Sequence, residues 1–269
     1  MQAKKNPVRE AVKSGKNAFG LYIGVPSPMM VEFAGYAGFD FVRIDISHNG
    51  FDLPTIVNMI RAAELCGVAP MVRVDNDPFM INSVLEAGAV GVYVPDVSTA
   101  EKAKAVVDVV RFAPLGERGI FGASRAAGYG GISGADYRKF SNEEVMLGVQ
   151  IESRQAAENI AAILGVEGID MVGSGRGDLA NSLGVTGQKD HPSVLALEAK
   201  IFDTARGRGK CISVNLDPTA KDFAEEVAAW KKKAGIITLG HDINIIRKNF
   251  EKAIQCARES QIQASGQQA

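Results

Sequence analysis

Eight short apolar runs, each followed by an amphipathic stretch, alternate along the chain of 269 residues. The runs are continuously apolar instead of alternating, the mark of parallel strands covered on both faces. Eight such units in about 250 residues predict a single closed (β/α)8 barrel. A doubly wound open sheet is the alternative. It fits less well, because no glycine fingerprint follows the first strand and no second domain is visible.

The elements follow in order. A basic amphipathic start (Pro7 to Lys13) precedes the strand AFGLYIG (18–24), and Pro26 and Ser27 open a helix through Tyr36 that Gly38 closes. FDFVRIDI (39–46) is the second strand; a helix over 53–66 ends at Gly67, before the third strand, APMVRV (69–74). Pro78 opens a helix closed by Gly88, AVGVYVP (89–95) is strand four, and Ser98 is placed to cap a helix to Val110 ahead of Glu101. Residues 113–143 break the rhythm with GERGIFGASRAAGYGGISG. A long irregular connection with two arginines, Arg118 and Arg125, and Tyr129 points to a lid or binding loop. Strand five is MLGVQI (146–151), followed by a helix over 153–164. Strand six is GIDMVG (168–173), with a Gly-rich turn and helical segments to about Arg206. Strand seven is KCISVN (210–215), followed by a helix from Pro218 to Lys232; strand eight is GIITLG (235–240), and a last helix runs to about Glu259. One barrel domain over 1–260 and a frayed tail over 261–269 are expected.

Thirty Lys+Arg against 31 Asp+Glu leave a net charge of −1, so nothing calls for nucleic acid. Cys66, Cys211 and Cys256 are scattered without zinc-type spacing, and Cys66 and Cys211 read as small core residues. The opening residues lack the apolar region of a signal peptide, and no apolar run reaches the ~18 residues of a membrane helix. A soluble, cytoplasmic protein is expected.

In such a barrel the active site lies where the strands end. VQIESR (149–154) turns within three residues from buried strand to Glu152, a costly place for a carboxylate unless a metal, an arginine or catalysis explains it. Asp178, after strand six, adds a second hard oxygen donor, and the pair suits Mg²⁺ or Mn²⁺; helix-dipole and N-cap roles are the plainer reading of each. The turn GSGRGD (173–178) offers backbone N–H groups to a carboxylate or phosphate. His48, after strand two, is a candidate base for proton abstraction. Arg73, ending strand three, needs an anion, either a substrate oxygen or Asp45 or Asp75. No lysine ends a strand, and Lys210 begins strand seven, so a Schiff-base aldolase is disfavoured.

The order Asp45-x-x-His48, VRV around Arg73, GERG (116–119), QIE (150–152) and GDL (177–179) resembles the HpcH/HpaI aldolases over nearly the whole chain. The resemblance implies a barrel of the phosphoenolpyruvate/pyruvate type and a divalent-metal-dependent class II aldolase. Such an enzyme cleaves a 4-hydroxy-2-oxo acid reversibly to pyruvate and an aldehyde through a metal-bound pyruvate enolate. It further implies that Glu152 and Asp178 hold Mg²⁺ or Mn²⁺, with Co²⁺ a further candidate, and that Gln150 and the N–H groups of Gly177 and Asp178 lie near the pyruvate. Arg73 would steady the enolate oxygen, and His48 would be the base, assisted by an acid matching Glu86. Assembly as a homo-hexamer, a trimer of dimers with a swapped last helix, is implied as well.

The chain departs from the family in Ser47, where a glutamate is usual, and in Arg176, where a proline is usual. Both changes make the site more positive. Arg176 or Arg125 is therefore expected to recognise a second carboxylate, or the chemistry is oxaloacetate decarboxylation or a citrate-synthase-like condensation. A non-catalytic binding protein is the remaining reading, with the missing glutamate as its one sign.

Overall fold

The computed structural model describes residues 5–266, with side chains of the last helix described to residue 259. The eight expected strands are present: β1 (Ala18–Ile23), β2 (Phe41–Asp45), β3 (Ala69–Arg73), β4 (Gly91–Val94), β5 (Met146–Ile151), β6 (Met171–Ser174), β7 (Cys211–Leu216) and β8 (Ile236–His241). Each pairs in parallel with the next, and β8 closes on β1 with Ala18 opposite Ile236. The chain is a closed (β/α)8 barrel.

Around it lie α1 (Pro7–Lys13), α2 (Pro28–Tyr36), α3 (Leu53–Cys66), α4 (Pro78–Ala87), α5 (Ala100–Val110) and α6 (Gly134–Glu144). These are followed by α7 (Arg154–Glu158), α8 (Ile160–Ile163), α9 (Arg176–Ser182), α10 (Pro192–Gly207), α11 (Phe223–Trp230) and α12 (Asp242–Gly266). Aliphatic residues facing outward from the strands, such as Ile44, Val72 and Val149, form one buried layer with the helices. A second cluster fills the barrel itself: Phe41, Met71, Tyr93, Met146 and Met171, closed at the amino-terminal end by Val8 of α1. Two glycines make that filling possible. A Cβ on Gly20 would overlap the Phe41 ring, and one on Gly148 the Tyr93 ring, so the aromatic rings occupy space that any other residue on β1 or β5 would take.

Several boundaries differ from the sequence expectation, and α11 spans Phe223–Trp230 instead of Pro218 to Lys232. Helix α5 is capped by Thr99, whose hydroxyl accepts from the Lys102 N–H, while Ser98 is buried before it. The irregular segment is shorter than 113–143, because Ser133 caps α6 through the Asp136 N–H. The helix expected over 153–164 is broken at Asn159, whose side chain donates to Ser98 O instead of facing solvent. Helix α12 runs to Gly266, beyond Glu259, and the last part of the expected tail, 267–269, lies outside the described residues. Cys66 and Cys211 are half-buried against the two clusters, as small apolar residues. No helix among the described residues is long and apolar enough to cross a membrane.

Candidate active site

Inward-facing residues alternate along each strand, so Phe41, Arg43 and Asp45 share one face of β2, with Arg43 and Asp45 opposite Met71 and Arg73 on β3. Where the strands end, Arg43 and Arg73 line a cavity of about 630 Å³ together with His48, Gln150, Asp178 and His241.

Arg73 is 5% exposed and its Nη1 donates to Asp45 Oδ2 at 3.2 Å, with Nη2 3.9 Å from Glu152 Oε2. Burial opposes its charge, but the carboxylates of Asp45 and Glu152 outweigh that, and its pKa lies above the ordinary arginine value. Glu152 is pushed toward its neutral form. Burial raises its pKa, opposed by the Asp96 N–H and Arg73 and reinforced by Asp178. Asp96 donates its backbone N–H to Glu152 Oε1 at 2.8 Å, while Oε2 and the neighbouring Gln150 Oε1 are buried without any hydrogen-bond donor. Two orphaned acceptor oxygens are costly in an apolar setting. They fit a cation. Among the described residues no group of three or more His, Cys, Asp or Glu side chains gathers as a metal cluster; the acceptors present are the Glu152 and Asp178 carboxylates and the Gln150 amide oxygen, a hard donor set suited to Mg²⁺ or Mn²⁺.

Asp178 is exposed to the cavity in the first turn of α9. The N–H groups of Gly177 and Asp178 belong to that first turn and have no helical carbonyl to bond. His48 is exposed on the loop after β2 and lines the same cavity. Ser47, beside it, donates its backbone N–H to Asp45 Oδ1, and its hydroxyl is buried without a partner.

Three expected site residues are placed otherwise. Arg176 borders the cavity, but its guanidinium is spent on Glu198, with contacts of 2.6 to 3.0 Å, and on Asp190 at 3.2 Å. Glu198 is buried in α10 and also accepts from the Ser174 hydroxyl, so a buried carboxylate claims the arginine before a substrate can. Arg125 pairs with Glu64 at 2.6 Å and donates to Ala87 O at 2.7 Å, at the opposite, amino-terminal end of the barrel. There the glycine-rich segment covers a separate cavity of about 480 Å³ beside Val90 and Val145. Arg118 anchors it through Ser141 and Tyr137. Within its own chain the segment is thus no lid over the mouth. Glu86 is near the carboxyl end of α4, where it adds to the field at Arg118 and its carbonyl accepts the Ala126 N–H; it does not line the cavity holding His48.

Sequence reasoning passed over the floor of the mouth. Arg43 donates to the Tyr22 hydroxyl at 3.0 Å and to Ser213 Oγ at 3.1 Å. Tyr22 stacks on His241 with centroids 4.3 Å apart. The signal was available: Arg43 has the parity of Asp45 in FDFVRIDI, so both had to face inward together.

A parallel barrel that gathers its carboxylates, histidine and arginine at the carboxyl ends of the strands is an enzyme of the (β/α)8 class. The sequence profile of the HpcH/HpaI aldolase/citrate lyase family matches residues 18–249, and the chain belongs to that family. It is 36% identical over 252 residues to the pyruvate aldolase of Rhizobium etli, covering 93% of this chain and 97% of the relative. With the 5-keto-4-deoxy-D-glucarate aldolase of Escherichia coli it shares 33% identity over 92% of this chain and 94% of the relative. Among solved structures, the HpcH/HpaI aldolase from Desulfitobacterium hafniense superposes with a TM-score of 0.86 at 27% identity, covering 93% and 96% of the two chains. The citrate synthase SbnG gives 0.85 at 28%, covering 95% and 99%. The chain is an enzyme of carbon–carbon bond cleavage, a lyase of the aldolase type.

Proposed function

We propose that the enzyme is a class II aldolase that cleaves a 4-hydroxy-2-oxo acid reversibly to pyruvate and an aldehyde. The observation that carries this reading is the pair of orphaned oxygens, Glu152 Oε2 and Gln150 Oε1, buried beside Arg73. A divalent ion, Mg²⁺ or Mn²⁺, held by Glu152 and Asp178 would supply a Lewis acid for the charge that develops on the 2-oxo acid.

The chain's own groups account for the rest. The N–H groups of Gly177 and Asp178 receive the substrate carboxylate at the start of α9. Arg73, fixed by Asp45, donates to the ketone oxygen, where negative charge grows as the C3–C4 bond breaks and its electrons move into the enolate. His48 takes the proton of the 4-hydroxyl as the aldehyde leaves, and returns it in the condensing direction. In its own chain Glu86 faces Arg118, so it can raise the basicity of His48 only across a subunit boundary. A homo-hexamer with α12 swapped between subunits supplies such boundaries. Ile243, Phe250 and Ile254 on α12 and Met29, Phe33 and Tyr36 on α2 are exposed apolar side chains that such an exchange would cover.

Condensation of citrate-synthase type and oxaloacetate decarboxylation use the same enolate, and the likeness to a citrate synthase fold at 28% identity favours keeping the former as the second reading. Pyruvate, Mn²⁺ and a panel of aldehydes, with oxaloacetate run in parallel, separate the three. Aldol product that vanishes with EDTA and in Glu152→Ala is expected. Product formation surviving both controls would refute the metal-assisted aldol reading.

A further inference from the structure

The cavity of about 480 Å³ at the amino-terminal end of the barrel holds a buried cation with no carboxylate against it. Its walls come from the end of α4, the residues just before β4 and β5, and the glycine-rich segment with α6. They are largely apolar, with Leu85, Val90, Ile132, Phe140 and Val145 among them. Arg118 lines the same space and is 6% exposed. Its Nη1 and Nη2 donate to Ser141 Oγ and to the Tyr137 hydroxyl, both at 3.2 Å, and Nε is buried without an acceptor. The Phe112 and Tyr137 rings flank it, 4.8 and 6.0 Å from its central carbon to their centroids. Arg73, Arg111 and Arg125 each pair with a carboxylate. Burial lowers the Arg118 pKa from its ordinary value, and the Tyr137 phenol and the charge of Glu86 offset only part of that. Hydroxyls and aromatic faces solvate this guanidinium without neutralising it.

The polar groups gathered around Arg118 are donors. Ser141 and Tyr137 each accept from the guanidinium, which leaves both hydroxyl hydrogens for another acceptor. The carboxylates that line the cavity are engaged: both oxygens of Glu64 take Arg125, and Glu144 accepts the Asn6 N–H. A cation and two hydroxyl donors set among apolar walls match an anion that brings its own apolar body. The glycine-rich segment adds an aromatic ring. Gly128, Tyr129 and Gly130 adopt φ 64°, 54° and 92°, three left-handed residues in a row, of which only Tyr129 is strained by it. The turn is pinned by the Tyr129 N–H on Ser124 O and the Ala126 N–H on Glu86 O. The Tyr129 ring lines the cavity yet is 69% exposed. Packing within the fold does not offset its strain, whereas a ligand against the ring would.

We infer that this cavity is a second ligand site, separate from the active site, and that it takes an aromatic monocarboxylate. The carboxylate accepts the hydroxyl protons of Tyr137 and Ser141, and Arg118 supplies the charge behind them. The ring of the ligand lies among Leu85, Ile132 and Phe140, and Tyr129 closes over it. A volume of about 480 Å³ is of the size that small-molecule sites occupy. The inference does not depend on the aldol reading, because no residue of the mouth takes part in it.

Calorimetry on the full-length, Mn²⁺-loaded enzyme compares phenylacetate with the neutral phenylacetamide, each in the presence of saturating pyruvate. Phenylacetate should bind at a single site per chain, with a Kd at least about tenfold lower than that of the amide. Omitting pyruvate should leave that Kd unchanged; competition between the two would put the probe in the mouth and overturn the inference. Arg118→Met should weaken phenylacetate by about tenfold or more. Tyr129→Gly removes the ring and relieves the left-handed strain, so it keeps the fold, and should weaken phenylacetate by about threefold. It carries the test alone if Arg118→Met does not fold. The absence of saturable binding at about millimolar phenylacetate, equal Kd values for acid and amide, or an unchanged Kd in either folded variant sinks the site.

Discussion

The backbone N–H of Asp96, after β4, donates to Oε1 of Glu152, after β5, at 2.8 Å, and Asp96 adopts φ 50° to do so. A left-handed conformation in a non-glycine residue costs roughly 1–2 kcal/mol, and here it turns one oxygen of Glu152 away while leaving the other bare. Replacing Asp96 by glycine should keep the backbone and the activity, since the exposed Lys102 pair it gives up is worth little. Asp96→Val, β-branched and hostile to positive φ, should lower kcat/KM by about tenfold or more and lower the melting temperature. Steady-state kinetics and thermal melts on the two variants check this; equal behaviour would remove Asp96 from the design of the site.

Arg73 and Asp45 form a buried pair, 5% and 2% exposed. Losing one partner strands the other, at a cost of about 3–5 kcal/mol. Arg73→Met should therefore destabilise strongly as well as abolish activity, while Arg73→Met/Asp45→Asn should recover much of the stability and none of the activity. Denaturant titrations of the single and double variants measure the coupling.

Arg176 should behave as a structural residue. Its bonds to Glu198 hold α9 against α10, and Glu198 is 7% exposed. Arg176→Ala should cost stability, on the order of 3 kcal/mol, with KM for any oxo acid changed by less than about threefold. Adding Glu198→Gln should restore part of the stability. A KM rise confined to dicarboxylate substrates would instead return Arg176 to substrate recognition.

His241 should leave a signature in pH-dependent stability. Burial is the main cause of its lowered pKa; Arg73 and Arg43 act with it, Asp45 and Asp242 against it. Tyr22 covers one ring face. The unfolded chain therefore binds this proton more tightly, near its ordinary value of about 6.5. The stability from neutral His241 is fully present above that value and declines as pH falls through the lower, folded-state value. Melting curves between about pH 8 and 5 should show wild type losing stability that His241→Asn retains; parallel curves would contradict it.

The barrel was legible because each strand is a continuous apolar run and each helix is bounded by proline, glycine or a polar cap. Asp45, His48, Arg73, Glu152 and Asp178 were legible for the same reason: a polar residue at the end of such a run stands out. Arg43 did not stand out, because inside VRI it reads as strand interior, and only its parity with Asp45 tells that it faces inward. Arg125 and Glu86 were misplaced for a different reason. They lie on a long loop and a helix end, where sequence position does not say which end of the barrel the chain visits, and ion pairs with Glu64 and contacts with Arg118 decide it. Ser133 ended the irregular segment early by capping α6, a local hydrogen bond that glycine content had masked.

Phe41 and Tyr93, seated where Gly20 and Gly148 leave room, and Val8 below them fill the barrel as a stopper. Traffic through the interior is thereby confined to a single doorway. Whatever reaches Arg73 and Asp178, and whatever leaves them, passes the rim where the strands end.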